Sequence, residues 1–88
     1  MKLSSFIKIN PADSVVVCLR PMQKGEAIEV DGKVITLLQD TPAGHKVLIN
    51  DAAEGQDIIK YGYPIGHAKK DLKQGEWVNE NNLKTNLA

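Results

Sequence analysis

The sequence predicts a small, mostly β domain of short strands joined by tight turns, and three features carry that expectation. Apolar and β-branched residues fall in short runs, several with the period-two alternation of a half-buried strand. Gly, Pro, Asn and Asp punctuate the chain between nearly every pair of runs. No stretch spaces its apolar residues with the period of an amphipathic helix.

Taken in order, Phe6-Ile7-Lys8-Ile9 alternates, and Ser14 to Leu19 is a β-branched run with the character of a buried strand. Val34-Ile35-Thr36-Leu37 and Lys46-Val47-Leu48-Ile49 are two more short strands, Asp57-Ile58-Ile59-Lys60-Tyr61 follows, and Glu76-Trp77-Val78-Asn79 closes the series. Turns are expected at Asn10-Pro11, Arg20-Pro21, Asp31-Gly32, Thr41-Pro42-Ala43-Gly44 and around Gly62, Pro64 and Gly66. Asp31-Gly32, between Glu29-Val30 and Lys33-Val34, is the strongest hairpin signal, because a two-residue type I′ turn needs residues that accept positive φ. Strands this short and closely spaced fit a barrel-like or clip-like β fold.

With 88 residues the chain has room for one domain, 1–88. Such a chain buries only about 60–65% of its extended surface, so a partner that covers part of it would add stability. An apolar share of 42% with 25% charged residues is too apolar for a disordered tail, so the chain should fold. Eleven basic and eleven acidic residues cancel, which removes the field that would gather the protein on nucleic acid or an anionic membrane. The single cysteine, Cys18, lies in Val15-Val16-Val17-Cys18-Leu19, which excludes an internal disulfide and a multi-cysteine zinc site and reads as a buried hydrophobe. No basic segment followed by an apolar core stands at the N-terminus, and no apolar run approaches the ~20 residues of a membrane span, so a cytoplasmic protein is expected.

The chain also repeats itself. Pro21 to Ile28, Asp51 to Ile58 and Asp71 to Val78 share a form: a small or apolar pair, charged or amide residues, a Gly, then an apolar entry into the next strand. Each reads as one helical turn or a tight loop closed by a Gly at positive φ, a structural device that says nothing of chemistry.

Joined by Thr41-Pro42-Ala43-Gly44-His45-Lys46-Val47 and by Ile58-Ile59-Lys60-Tyr61-Gly62-Tyr63-Pro64-Ile65-Gly66, and ending in Asn82-Leu83-Lys84-Thr85-Asn86-Leu87, these units resemble the SAF domain of the altronate/galactarate dehydratases, over about residues 7–87. Gly44-His45-Lys46 and the stretch from Ile59 to Gly66 are its most specific parts. The resemblance implies a β-clip fold. It also implies a hydro-lyase in which this domain accompanies a much larger catalytic domain or subunit, water leaves a sugar acid to give a 2-keto-3-deoxy acid, and Fe2+ or Mn2+ serves the complete enzyme. No metal site is expected on this domain alone. The small subunit of sulfolactate sulfo-lyase is similar and is the alternative within the enzyme class. A non-catalytic SAF module that binds sugars or sugar acids is the alternative outside it.

Dehydrating a hydroxy acid takes cationic or amide groups for the carboxylate, a base for the adjacent proton, and an acid or Lewis acid for the departing hydroxyl. His45 is the candidate catalytic residue, while Lys46, Asn82, Lys84 and Thr85 are candidate contacts for a sugar-acid carboxylate or for the large domain. If Lys46 begins a strand, its side chain and that of His45 point to opposite faces, so only one easily meets a given site. His45 as a solvated turn residue is the competing reading. Where the resemblance implies histidines, Trp77, Asn79 and Asn81 stand instead, and amides are weak ligands for iron or manganese. Tyr61 is expected to pack with Lys60 exposed, and His67 to be a surface or turn residue. The set is incomplete, so the chain alone is expected to be inactive, existing as a separate small subunit or a piece of a longer enzyme. An interface left uncovered in that way could drive self-association.

Overall fold

A computed structural model describes residues 5–85, and among these the chain is all β, with no helix. Nine strands are formed: β1 (Phe6–Ile7), β2 (Val15–Cys18), β3 (Ala27–Val30), β4 (Lys33–Thr36), β5 (Lys46–Leu48), β6 (Asp57–Lys60), β7 (Tyr63–Ala68), β8 (Trp77–Val78) and β9 (Leu83–Thr85). All pairings are antiparallel, and they build a four-stranded sheet β1-β2-β5-β8, a hairpin β3-β4 and a three-stranded sheet β6-β7-β9.

The four-stranded sheet is central because its residues alternate between two cores. Val16, Cys18, Val47 and Ile49 pack with Ile28, Val30, Ile35 and Leu37 of the β3-β4 side. Val15, Leu48 and Val78 pack with Ile58, Ala68, Leu72 and Leu83 of the β6-β7-β9 side. Cover on both faces explains why the Ser14 to Leu19 run reads as continuously apolar rather than alternating. Cys18 is fully buried, and burial pushes its thiol up from the usual range.

Four crossover turns carry the chain between these layers. Each consists of a buried residue, two exposed residues and a Gly at positive φ: Met22–Gly25, Thr41–Gly44, Ala52–Gly55 and Leu72–Gly75. They meet in pairs through the bridges Met22↔Thr41 and Ala52↔Leu72. In every turn the Gly N–H donates to a backbone carbonyl in a strand or just past its end, at 2.8 Å to Leu37, Cys18 and Ala68 and 2.7 Å to Leu48. Three of these units are the repeats visible in the sequence. The fourth, Asp40 to Val47, has the same Asp-to-Gly spacing as Asp51–Gly55 and Asp71–Gly75 but reads in the sequence only as a Pro-Gly turn.

Several expectations are corrected. Strand β1 stops at Ile7, so Lys8 and Ile9 lie beyond it. Pro64 and Gly66 are strand residues of β7 rather than turn residues. Pro64 is tolerated because β9 pairs only with Gly66 to Ala68, and a bulge between Ile58 and Ile59 relaxes the other side. At Gly66 a side chain would place Cβ 2.2 Å from the Lys84 carbonyl oxygen, so the residue permits the close approach of β9. The turn is instead Tyr61-Gly62, with φ 56° and 78°, the counterpart of Asp31-Gly32 with 52° and 81°. Tyr61 is therefore half exposed rather than packed, and Lys60, half-buried, sets its ammonium 4.8 Å from the Tyr61 ring centroid. His67 belongs to β7, half-buried opposite Asp57. Strand β9 lies in a segment that reads as a polar tail, whose Asn86 and Leu87 fall outside the described residues.

The hairpin tip at Tyr61-Gly62 is anchored by Asp13, a buried carboxylate between β1 and β2 that the sequence does not single out. It accepts from Gly62 N at 2.8 Å and from Asn10 N at 3.0 Å. Burial raises the carboxyl, but the backbone donors Gly62, Asn10, Tyr61 and Ile9 outweigh it and hold the group below its ordinary value of 3.8. A depressed folded value means that Asp13 stabilises the fold above about pH 4 and loses that contribution as pH falls through the folded value. Asp13→Asn should therefore cost about 1–2 kcal/mol near neutrality. In urea unfolding across pH the gap from the parent should narrow below about pH 4, and a constant gap would contradict the anchoring role.

Candidate functional site

In three of the four crossover turns the residue after the Gly folds its side chain back to close the turn. Glu26 Oε2 accepts from Gln23 N at 2.6 Å, Gln56 Oε1 from Ala53 N at 3.1 Å, and Glu76 Oε1 from Lys73 N at 2.9 Å. In the remaining turn the donor position is Pro42, which has no N–H, and the acceptor position is His45. The backbone is unchanged there, since His45 N still donates to the Pro42 carbonyl as its counterparts do. The His45 side chain is thus not needed to close its turn.

That imidazole turns to β8. Trp77 Nε1–H donates to His45 Nδ1 at 3.1 Å, and the rings meet edge-on with centroids 5.4 Å apart and planes at 69°. Together with Lys46, Val78, Asn79, Glu80 and Asn81 they line a cavity of about 320 Å³ at the edge of the central sheet. His45 precedes β5 and Lys46 begins it, and both line the cavity, so the expectation that only one of them meets a given site is corrected.

Lys46 is the electrostatic feature of the site. Burial, and then the charge of Lys60, lower it from the ordinary lysine range, and its ammonium has no hydrogen-bond or ion-pair partner among the described residues. An anion in the cavity would offset both effects. Glu80 is the one carboxylate in the cavity wall and His45 the one imidazole. Among the described residues no group of three His, Cys, Asp or Glu side chains could hold a metal ion, so the cavity does not fit iron or manganese on this chain.

The loop after β8 is self-contained. Asn79 and Asn82 both donate through Nδ2 to the Trp77 carbonyl, at 3.0 and 2.9 Å, while Asn82 Oδ1 accepts from Asn79 N and Asn79 Oδ1 from Asn81 N, each at 2.9 Å. Gln39 Oε1 accepts from Trp77 N at 3.0 Å, which covers the open edge of β8. Trp77 is therefore held from both sides.

Of the residues singled out in the sequence, the fold brings His45 and Lys46 together. Asn82 is buried behind the cavity with both ends of its amide engaged in the loop. Lys84 and Thr85 are exposed on β9, opposite His67 and Gly66, and do not line the cavity. The sequence pattern missed Trp77 and Asn81 as members of the site, because they are noticed there only as absent histidines. The amide of Asn81 is exposed and makes no hydrogen bond to a described residue.

The fold is an all-β module with a cavity at one sheet edge, where an ammonium, an imidazole, a carboxylate and two amides stand beside Trp77 and Val78. The chain belongs to the altronate/galactarate dehydratase SAF domain family, whose model matches residues 4–86. It is 43% identical over 98% of its length to altronate dehydratase of Bacillus subtilis, of which it covers 17%. It is 31% identical over 85% of its length to galactarate dehydratase (L-threo-forming) of Escherichia coli, covering 14% of that protein. Half of it is 46% identical to 47% of the (2R)-sulfolactate sulfo-lyase subunit alpha of Chromohalobacter salexigens. The chain thus spans about a sixth of the length of the dehydratases it matches. No helix among the described residues is long and apolar enough to cross a membrane.

The division of labour between neighbouring amides is testable. Asn82→Ala should cost about 1–3 kcal/mol, the penalty for opening buried hydrogen bonds, whereas Asn81→Ala should change stability by no more than about 0.5 kcal/mol. Equal costs in urea unfolding would contradict the assignment.

Proposed function

We propose that the chain is the small domain or subunit of a sugar-acid dehydratase of the altronate/galactarate type, a hydro-lyase that removes water from a hydroxy acid to give a 2-keto-3-deoxy acid. The observation that carries the reading is the end-to-end match to altronate dehydratase, 43% over 98% of the chain. On this reading a large polypeptide holds the substrate and any metal it needs, and this domain closes over one end of it. Lys46 meets the substrate carboxylate, Asn81 a hydroxyl, and His45 an oxygen near the reacting carbons. Lys84 and Thr85, exposed on β9, face the large polypeptide. A β-clip and a cytoplasmic setting go with the same reading. Alone, the chain lacks a full acid and base set and turns over nothing.

A second arrangement is favoured by one observation: the matching sulfo-lyase relative is a subunit, with 44 aligned residues making up 47% of it, and so is close in length to this chain. The same cavity could then meet a sulfolactate carboxylate.

The test is a chimera in which this chain replaces the matching segment of the Bacillus subtilis altronate dehydratase. Altronate dehydration should persist, and Lys46→Met should raise KM about tenfold or more, the equivalent of ~1.4 kcal/mol of lost carboxylate contact. Unchanged KM in the Lys46→Met chimera, or turnover of altronate by this chain alone, would overturn the proposal.

A further inference from the structure

His45 is the one imidazole of the cavity, and its two nitrogens are not equivalent. Nδ1 accepts the Trp77 indole N–H, which is a donor only, so Nδ1 carries no proton in this arrangement. The proton of the neutral ring then sits on Nε2, which has no partner among the described residues. The backbone that carries the indole is anchored: the Trp77 N–H donates to Gln39, and the Trp77 carbonyl accepts from Asn79 and Asn82. A ring held in this way presents an N–H to the cavity and has no open lone pair.

We propose that Trp77 is a positioning residue that locks His45 in the Nε2–H tautomer, so that the ring meets its ligand as a hydrogen-bond donor to an oxygen atom and not as a proton acceptor. The inference rests on the reading of this cavity as the substrate contact, and it narrows the chemistry available there. His45 does not take the proton beside the carboxylate, and that base belongs to the large polypeptide. Next to Lys46, the Nε2–H completes a pair of donors that suits a carboxylate or an oxygen gaining negative charge. The arrangement depends on Pro42. Were an N–H present there, the imidazole would have the competing partner that occupies Glu26, Gln56 and Glu76 in the sister turns.

The tautomer can be read directly on the whole chain labelled with nitrogen-15, through long-range proton–nitrogen correlations of the imidazole rings. The chain has two histidines, so His67→Gln assigns the signals. The expected result is a neutral His45 with Nε2 protonated and Nδ1 bare, in about fivefold to tenfold excess, which Trp77→Phe reduces severalfold. A His45 protonated on Nδ1, or a tautomer ratio unchanged in a folded Trp77→Phe chain, overturns the proposal. If Trp77→Phe does not fold, the parent spectrum alone decides. Because this readout involves no substrate, its failure is distinct from failure of the dehydratase reading. In the chimera, Trp77→Phe should lower kcat, and replacing His45 by Gln, which keeps an N–H donor, should retain more turnover than His45→Ala. Equal losses in the two His45 variants would also overturn it.

Discussion

The structure depends on how its four crossover turns close. A chain that leaves one layer and enters the next within a few residues exposes backbone N–H groups that no strand can pair. Here the Gly N–H reaches a backbone carbonyl in or beside a strand, and in three of the turns a side chain one residue later captures the N–H near the start of the turn. The same solution, repeated and bridged in pairs, sets the central sheet between two outer layers. Two small cores result instead of one, each fed by alternate residues of β2 and β5.

A repeated device makes its exception informative. Three turns use Glu or Gln to satisfy a backbone donor, and the fourth removes the donor with Pro42 and places His45 where the acceptor would be. The backbone is preserved while the side chain is released toward β8. In a single step the sequence keeps the fold and gains an imidazole at the sheet edge beside a half-buried, unpaired Lys46. The amide-rich loop after β8 is structural in the same sense: Asn79 and Asn82 spend their amides on each other and on the Trp77 carbonyl, which anchors the backbone that carries the indole.

Much of the fold was legible because its signals are local. The β-branched run at Val15–Cys18, the Asp31-Gly32 turn and three Gly-closed repeats each determine their own neighbourhood. What was not legible depends on tertiary contact. Pro64 and Gly66 look like turn residues until β9 is known to pair with only part of β7 and to approach Gly66 closely. Tyr61 looks like a strand residue until the Asp13 carboxylate is seen to seize the Gly62 N–H and fix the reversal one residue earlier. At the site, His45 and Lys46 announce themselves as an adjacent pair, but Trp77 is separated from His45 by 32 positions and nothing in the intervening pattern signals their hydrogen bond. Asn82 invites a functional reading that its burial reassigns to the loop.

Three of the four crossover turns are closed by the side chain after the Gly, and in the fourth that side chain lines the cavity instead. The most direct measurement replaces the residue after the Gly by Ala in each turn in parallel, at Glu26, His45, Gln56 and Glu76, and compares urea unfolding of the chain with turnover of the dehydratase chimera. The Glu26→Ala, Gln56→Ala and Glu76→Ala chains are expected to lose stability and keep turnover once folded, whereas the His45→Ala chain should lose less stability than these three and lose turnover. A His45→Ala chain as destabilised as the other three, or a His45→Ala chimera with undiminished turnover, would contradict this expectation.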